Sequence, residues 1–409
     1  MKNLLFAATF ISVLFASCSS DDDNGTAMEI DNEVVAPATY TFTRNGENSV
    51  SFSGQTTRIM MAGELVSAFK NFDTATENSL KAMFAHVEGA ADFDSDALNA
   101  SDKNVRSKTA ASTDYFAANT TESTLIKNTF DSYITTQTSE VFPNENTVAE
   151  PGTAGQIADG SSVRYVTSQG LEMNQLFAKG LIGALMADQM LNNYLGTAVL
   201  DEADNRSNND NDITETDKAY TTMEHKWDEA YGYLFGTSAD PANPLATIGE
   251  DDSFLNKYVG SVAGDSDFSE IATEIFDAFK LGRAAIVAKN YEVRDAQAAI
   301  IRQKISEVIA IRAIYYLQNG KTAIENEDFG AAFHDLSEGY GFVYSLRFTR
   351  NNQDDNSFFT RSEVDEFTDA MLNDGEHGLW DVNPATLDTI SEAIAAKFSF
   401  TVAQAATAD

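Results

Sequence analysis

Residues 291–318 read YEVRDAQAAIIRQKISEVIAIRAIYYLQ, and this stretch decides the fold. On a helix its apolar side chains point in almost every direction, as Ile305, Ile311 and Ile314 do. A helix that is apolar nearly all round is buried at the centre of a large helical protein. The stretch therefore predicts an all-α bundle packed around one central helix.

Helical periodicity continues on both sides of this central segment. A hairpin is predicted at the start, because Tyr40 to Thr43 and Ser49 to Phe52 alternate in polarity around Asn45-Gly46. The glycine-containing stretch Glu150 to Ser162 predicts a flexible loop. Further helices are predicted near residues 64–87, 124–137, 170–195, 219–235, 268–288, 326–347, 362–373 and 385–398.

Composition and charge narrow the classes of function. The chain has 409 residues and is 43% hydrophobic, which is enough for one large core. It carries 27 basic and 63 acidic residues, for a formal net charge of −36. Nucleic-acid binding needs clustered basic residues, so this balance argues against it. Solubility, a cationic partner or a metal ion accounts better for the acidic charge.

The first residues predict export and lipidation. Lys2 is followed by a short apolar run from Leu4 to Phe15 and by the only cysteine, Cys18. The run is too short for a permanent membrane helix and resembles a bacterial lipoprotein signal peptide. We predict a signal peptide at residues 1–17 and a lipid at Cys18, the only attachment to the membrane.

An acidic tether follows the cysteine. Residues 18–36 are polar and begin with the acidic run Asp21 to Asp23, which resembles the surface-export tags of some Gram-negative lipoproteins. The expected location is therefore the outer membrane, with the protein either surface-exposed or periplasmic. Residues 37–409 form the predicted helical domain, made of two duplicated halves.

The duplication is predicted from two similar segments. His225 to Phe235 and His334 to Tyr344 both read H-x-x-x-E-x-Y-G followed by an aromatic residue. Each follows a long apolar helix that is predicted to end in a Tyr-Leu pair, Tyr194-Leu195 in one case and Tyr316-Leu317 in the other. Two copies of one unit explain this recurrence most simply.

The spacing of this signature has a chemical meaning. Residues four apart on a helix share a face, so each copy presents a histidine and a glutamate together. Glycine inside a helix costs about 1 kcal/mol relative to alanine, so its recurrence predicts a close approach of a backbone or ligand. Imidazoles and carboxylates suit iron, zinc or manganese. The predicted ligands, at a site between the halves, are His225, Glu229, His334 and Glu338, with Asp228 as a substitute.

A structural explanation of the same pattern stays open. A buried histidine and glutamate can simply hydrogen-bond to each other, and glycine and tyrosine can serve close helix packing. Arg283, Arg302 and Arg312 can instead pair in a buried charge network with the acids of the predicted helix at 170–195, Glu172 and Asp188. The four histidines are far apart in sequence and form no H-E-x-x-H motif, which excludes the usual zinc-peptidase helix.

Several stretches resemble an uncharacterised family of Gram-negative lipoproteins, domain of unknown function 4856. That family is similar to imelysin-like proteins, which are helical, internally duplicated, exported and often linked to iron uptake. Their Gly-x-His-x-x-Glu motif maps only onto His225 and one acid, because Met223 stands in place of the glycine. The stretches that carry the resemblance are residues 40–52, 54–58, 179–184, 226–232 and 336–342.

These observations predict an exported lipoprotein that binds iron or another divalent metal, or a metal-bearing ligand, and assists an outer-membrane transporter. A metallopeptidase of imelysin type is one alternative, with Glu229 as its general base. A glycan- or protein-binding surface lipoprotein is the other, although the chain has only two tryptophans, Trp227 and Trp380.

Overall fold

The structure, a computed structural model, describes residues 34–408. The predicted signal peptide, the lipidation site Cys18 and the tether up to residue 33 lie outside the described residues. Within residues 34–408 no helix is both long enough and apolar enough to cross a membrane. The described chain is mostly helical, which confirms the predicted fold class.

The described residues form α-helices of very different lengths, connected by turns and short irregular segments. In chain order they are α1 (Ser53–Ala68), α2 (Glu77–Phe84), α3 (Asp96–Asn99), α4 (Thr113–Phe116), α5 (Thr120–Thr136), α6 (Met173–Leu181), α7 (Thr197–Leu200), α8 (Asn205–Asp210), α9 (Thr222–Phe235), α10 (Leu255–Gly264), α11 (Ile271–Val287), α12 (Tyr291–Glu325), α13 (Phe329–Ser345), α14 (Arg361–Leu372), α15 (Pro384–Ala395) and α16 (Val402–Ala405).

The central helix is α12, as the sequence predicts, and its 35 residues extend beyond the predicted end at residue 318. The Asn290 side chain begins it by accepting a hydrogen bond from the Val293 amide. It packs against α10, α11, α13 and α15. Ile305, Ile311 and Ile314 are fully buried, so most sides of this helix contribute to the core.

The predicted helix at 170–195 is not uniform. After α6 it widens into two π-helical segments, Ile182–Ala187 and Met190–Tyr194. Ser345 explains the first one, because its hydroxyl donates to the Lys179 carbonyl and accepts from the Gly183 amide. A hydroxyl inserted between these two groups replaces the usual backbone bond and widens the turn.

The described residues contain two β-hairpins. The predicted one is confirmed but short: β1 (Thr43–Arg44) pairs with β2 (Glu47–Asn48). Its turn residues Asn45 and Gly46 both have positive φ, as a type I′ turn requires. The predicted flexible loop at 150–162 is wrong in part, because β3 (Gly155–Asp159) and β4 (Ser162–Val166) form a second hairpin there.

Candidate functional site

The two histidine signatures lie on α9 and α13, and their glycines permit close helix contact. A Cβ atom at Gly232 would lie 2.4 Å from Phe52 Cβ, and one at Gly341 would lie 2.5 Å from Lys179 Cβ. Real Cβ atoms do not approach so closely, so only glycine fits without a shift. The predicted close approach is confirmed, and in both cases another part of the chain makes it.

The histidines have equivalent positions in the two copies. His225 Nδ1 lies 3.0 Å from the carbonyl oxygen of Ser51, two residues before α1 begins. His334 Nδ1 lies 3.1 Å from Oε1 of Glu172, the residue before α6 begins. Each imidazole therefore contacts the chain at the start of a neighbouring helix. One contact is a neutral carbonyl, whereas the other is a carboxylate.

The glutamates also have matching partners. Gln55 on α1 donates to Glu229 across 3.0 Å, and Lys179 on α6 lies 3.3 Å from Glu338. Lys226 adds a second contact to Glu229 at 3.0 Å. The surroundings of the two signatures therefore agree in outline. The duplication of whole halves stays a prediction that this local agreement supports.

In the first copy Asp228, the residue before the signature glutamate, is closed off from solvent. Asp228 is fully buried and accepts hydrogen bonds from Tyr40 Oη at 2.7 Å, Arg283 Nε at 3.0 Å and the Ser51 amide at 3.2 Å. Burial raises the pKa of Asp228 to about 6 against the opposing charge of Arg283. A buried charge network is present here, but the predicted partners are wrong: Arg283 pairs with Glu224 and Asp228 rather than with Glu172 or Asp188. This network anchors the N-terminal segment to α9 and α11.

In the second copy the signature faces a cleft of about 460 Å³. His334, Asp335 and Glu338 of α13 form part of its wall. Residues of α1, α6, α10 and α12 form the rest, so five helices contribute. A concave site built on rigid helices is where a small ligand binds most often.

His334 is held between two carboxylates at this cleft. Its Nδ1 contacts Glu172, and its Nε2 lies 3.5 Å from Oε1 of Glu338. Burial lowers the pKa of His334, but the two carboxylates outweigh it and raise the pKa above its ordinary value. Burial likewise acts to raise the pKa of Glu338, but Lys179 and His334 hold it below its ordinary value. The cleft therefore favours a charged imidazolium.

Basic side chains dominate the charged groups of the cleft. Lys70, Lys179, Lys257 and Arg312 line it, against the acids Asp335 and Glu338. Lys70 and Lys257 have no ion-pair partner within residues 34–408. The chain as a whole has a net charge of −36, whereas the charged side chains that line this cleft are mostly positive.

Tyrosine rings hold one of these cations in place. The Arg312 guanidinium lies 4.0 Å from the ring centre of Tyr315, 4.6 Å from that of Tyr316 and 5.2 Å from that of Tyr258. The Lys179 ammonium lies 5.1 Å from the Tyr258 ring centre. Such cation–π contacts help to position both side chains.

The structure does not bring the four predicted metal ligands together. Among the described residues, no hydrogen bond or ion pair joins His225 or Glu229 to His334 or Glu338. Within the same part of the chain, no three His, Cys, Asp or Glu side chains are arranged to hold a metal ion. Each pair is instead satisfied by its own neighbouring helix. Metal binding itself stays a prediction.

The fold and the cleft define a large helical protein with one polar, cation-lined cleft supported by five helices. A family model described as domain of unknown function (DUF4856) matches residues 37–401, and the chain belongs to that family. No curated protein and no solved structure matches the chain. The similarity to imelysin-like proteins therefore stays a prediction from the sequence.

Proposed function

We propose that this protein is an exported lipoprotein that binds an anionic, carboxylate-bearing iron chelate in the cleft beside His334 and passes it to an outer-membrane transporter. The observation that carries the proposal is the concentration of basic side chains in this cleft. The predicted lipid anchor at Cys18 supplies the location, and the family resemblance supplies the link to iron.

Electrostatics favours a chelate over a bare cation. A metal ion entering the cleft would meet the ammonium of Lys179 and an imidazolium at His334, and like charges repel in a partly enclosed site. A ligand with peripheral carboxylates meets complementary charge instead. Charge-assisted hydrogen bonds to carboxylates are shorter and stronger than neutral ones. The acidic remainder of the protein repels such a ligand, so binding is confined to the cleft.

The lining residues provide different kinds of contact to the ligand. Lys70 and Lys257 are exposed and without an ion-pair partner among the described residues, so they are available to carboxylates of the ligand. Glu172 and Glu338 contact the two ring nitrogens of His334 and keep it charged, so it contributes positive charge to the cleft rather than a free N–H. Tyrosine hydroxyls and rings complete the wall, and they suit the mixed polar and apolar surface of a chelate.

One observation favours direct metal binding as a second candidate. The imidazole of His334 has a carboxylate on either side, Glu172 and Glu338, and this donor set suits iron, zinc or manganese. Direct ligation requires His334 to lose its proton, so affinity would rise with pH. His225, Glu229 and Asp228 are not part of this candidate, because their own neighbours already hold them.

Isothermal titration of the mature protein separates the two candidates. Ferric citrate, citrate alone, and Fe²⁺ or Zn²⁺ alone are titrated at neutral pH. We expect ferric citrate to bind, and the double variant Lys70→Ala, Lys257→Ala to lose at least about tenfold in affinity, since each charged contact is worth about 1 kcal/mol or more. The matched control is Lys127→Ala, Lys218→Ala, which removes two lysines outside this cleft.

The outcomes are distinct. Absence of ferric citrate binding, or an equal loss in the control variant, refutes the chelate proposal. Binding of bare Zn²⁺ or Fe²⁺ that increases with pH and disappears in His334→Gln supports direct ligation instead.

Export is tested separately from ligand binding. The variant Cys18→Ser should no longer incorporate labelled palmitate and should leave the membrane fraction, because no other attachment is proposed. Labelling or membrane recovery equal to the wild type would refute the lipoprotein part of the proposal. It would not bear on ligand binding in the cleft.

A further inference from the structure

A second and larger cavity, of about 1220 Å³, lies at a different place in the fold. It is bounded by α4, the start of α5, the loop at 351–360 and the segment after α15. None of its lining residues lines the cleft beside His334. Whatever it binds is therefore independent of the proposed chelate.

The charges in this cavity cancel. Its walls contain three acids and three bases, and all of them except Asp354 pair with one another. Glu122 contacts Arg347 and, at 2.7 Å, Arg361, while Lys397 pairs with Glu363. A cavity without net charge, in a chain of −36, does not select ions. The cavity therefore suits a neutral ligand.

Amide side chains are concentrated on the same walls. Asn119 uses its carbonyl oxygen to accept from the Glu122 amide, and no described group accepts from its NH₂. The Gln353 side chain makes no hydrogen bond within residues 34–408. An amide both donates and accepts, which matches hydroxyl groups that also do both. The six amide residues are Asn119, Gln303, Asn351, Asn352, Gln353 and Asn356.

Aromatic rings supply the apolar part of the wall. Phe358 and Phe398 are half-buried, with ring centres 4.6 Å apart and planes inclined at 33°. Tyr115 and Phe116 of α4 add two more rings. Flat apolar faces beside amides suit a ligand whose ring faces carry C–H groups and whose edges carry hydroxyls.

The loop that carries four of these six amides is already fixed in place. The Asn351 amide donates to the Asn356 carbonyl at 2.7 Å, which closes the loop on itself. Arg350 joins the loop to the helices, with ion pairs to Asp355 at 3.2 Å and to Asp114 at 2.7 Å. A site ordered before binding spends less of its interaction energy on ordering the loop.

We infer that this cavity binds a neutral oligosaccharide. Its hydroxyls pair with the amides, and the C–H faces of its sugar rings lie on Phe358 and Phe398. A peptide fits less well, because peptides are commonly recognised by extending a sheet edge and neither hairpin of the described chain lines this cavity. The aromatic surface consists of phenylalanine and tyrosine rather than tryptophan.

The test is titration of the full mature protein with maltotetraose, cellotetraose, mannotetraose and chitotetraose. A sulfated tetrasaccharide and a neutral tetrapeptide serve as comparison ligands. We expect at least one neutral tetrasaccharide to bind, and Phe398→Ala and Gln353→Ala each to weaken it at least about fivefold, the loss of one good contact. Lys70→Ala, Lys257→Ala, in the other cleft, should leave this binding unchanged.

Thermal melting of each variant establishes that the fold is intact. Gln353 lies on an exposed loop, so Gln353→Ala stays informative even if Phe398→Ala fails to fold. The inference is overturned if none of the four neutral tetrasaccharides binds. It is equally overturned if only the sulfated sugar or the peptide binds, or if neither variant weakens saccharide binding.

Discussion

The two histidine signatures share a helical pattern but have different environments. In the first, Asp228 lies in a dry network with Arg283 and Tyr40. In the second, His334 and Glu338 face an open cleft. One short motif thus serves as an anchor in one place and as a candidate binding site in the other. A motif's residues alone do not define its function.

The difference has two physical causes. Asp228 in the first copy corresponds to Ser337 in the second, and both accept a hydrogen bond from a backbone amide before a helix, that of Ser51 or of Glu172. Only the aspartate carries a charge, so only the first copy requires a buried arginine. In addition, Tyr40 packs against Asp228 of the first copy, whereas His334 and Glu338 of the second copy line a cleft.

The largest expected effect comes from disrupting the buried charge network around Asp228 in the first copy. Arg283 is fully buried and pairs with both Asp228 and Glu224. Arg283→Met should lower the free energy of unfolding by about 3–5 kcal/mol, because Asp228 is left buried with no cationic partner and Glu224 keeps only Arg44. Urea denaturation measures the loss. The matched change in the open copy, Lys179→Met, should cost less, and an equal loss in both variants would contradict the comparison.

A smaller effect tests the close helix contacts that both copies share. Gly341→Ala places a methyl group 2.5 Å from Lys179 Cβ, so the helices must separate, at a cost of about 1–3 kcal/mol. The control is Gly63→Ala on α1, where a Cβ atom meets nothing within 4 Å. That variant should stabilise the protein by about 0.5–1 kcal/mol through helix propensity. Equal melting temperatures for both variants would contradict the steric argument.

The smallest effect is a pH dependence of folding stability that comes from His334 and Glu338 in the second copy. The pKa of His334 is raised from 6.5, so its pairing stabilises the fold below about pH 6.5 and is lost as pH rises through the folded pKa. The pKa of Glu338 is lowered from 4.5, so its contribution is present above about pH 4.5 and is lost as pH falls through the folded pKa. His334→Gln should therefore destabilise the protein more near pH 5.5 than near pH 9.

Denaturation at the two pH values measures this difference. In a Glu172→Gln, Glu338→Gln background the same histidine substitution should no longer cost more near pH 5.5 than near pH 9, since the carboxylates that raise the pKa are gone and burial lowers it. A greater cost near pH 5.5 that persists in that background would show that other groups raise the pKa of His334.

Much of the fold is predictable because helix periodicity is a local property. The apolar pattern of α12 and the turn residues Asn45 and Gly46 predict their elements from the residues alone. The failures are also instructive. The hairpin at 155–166 was predicted mostly as a loop, and α10 was not predicted. The π-helical segment at 182–187 depends on Ser345, more than a hundred residues away, which no local pattern indicates.

The candidate site was predictable only in part, for the same reason. Sequence spacing placed His334 and Glu338 on one helix face and predicted the contact at Gly341. It did not indicate that Lys70, Lys257 and Arg312 line this cleft, because these residues come from segments far apart in the chain. Lys179 had a weak signal, since it precedes a glycine in a stretch that resembles the family.

The sequence alone determined the helical class, the central helix, the paired signatures and the predicted export signal, because each depends on neighbours within a few turns. Only the tertiary structure decided that Asp228 of the first copy is buried in a charge network and that the second copy lines a cleft. These outcomes depend on packing between segments as distant as Tyr40 and Asp228, and on the cations that α6, α10, α12, α13 and the turn after α1 bring to one cleft.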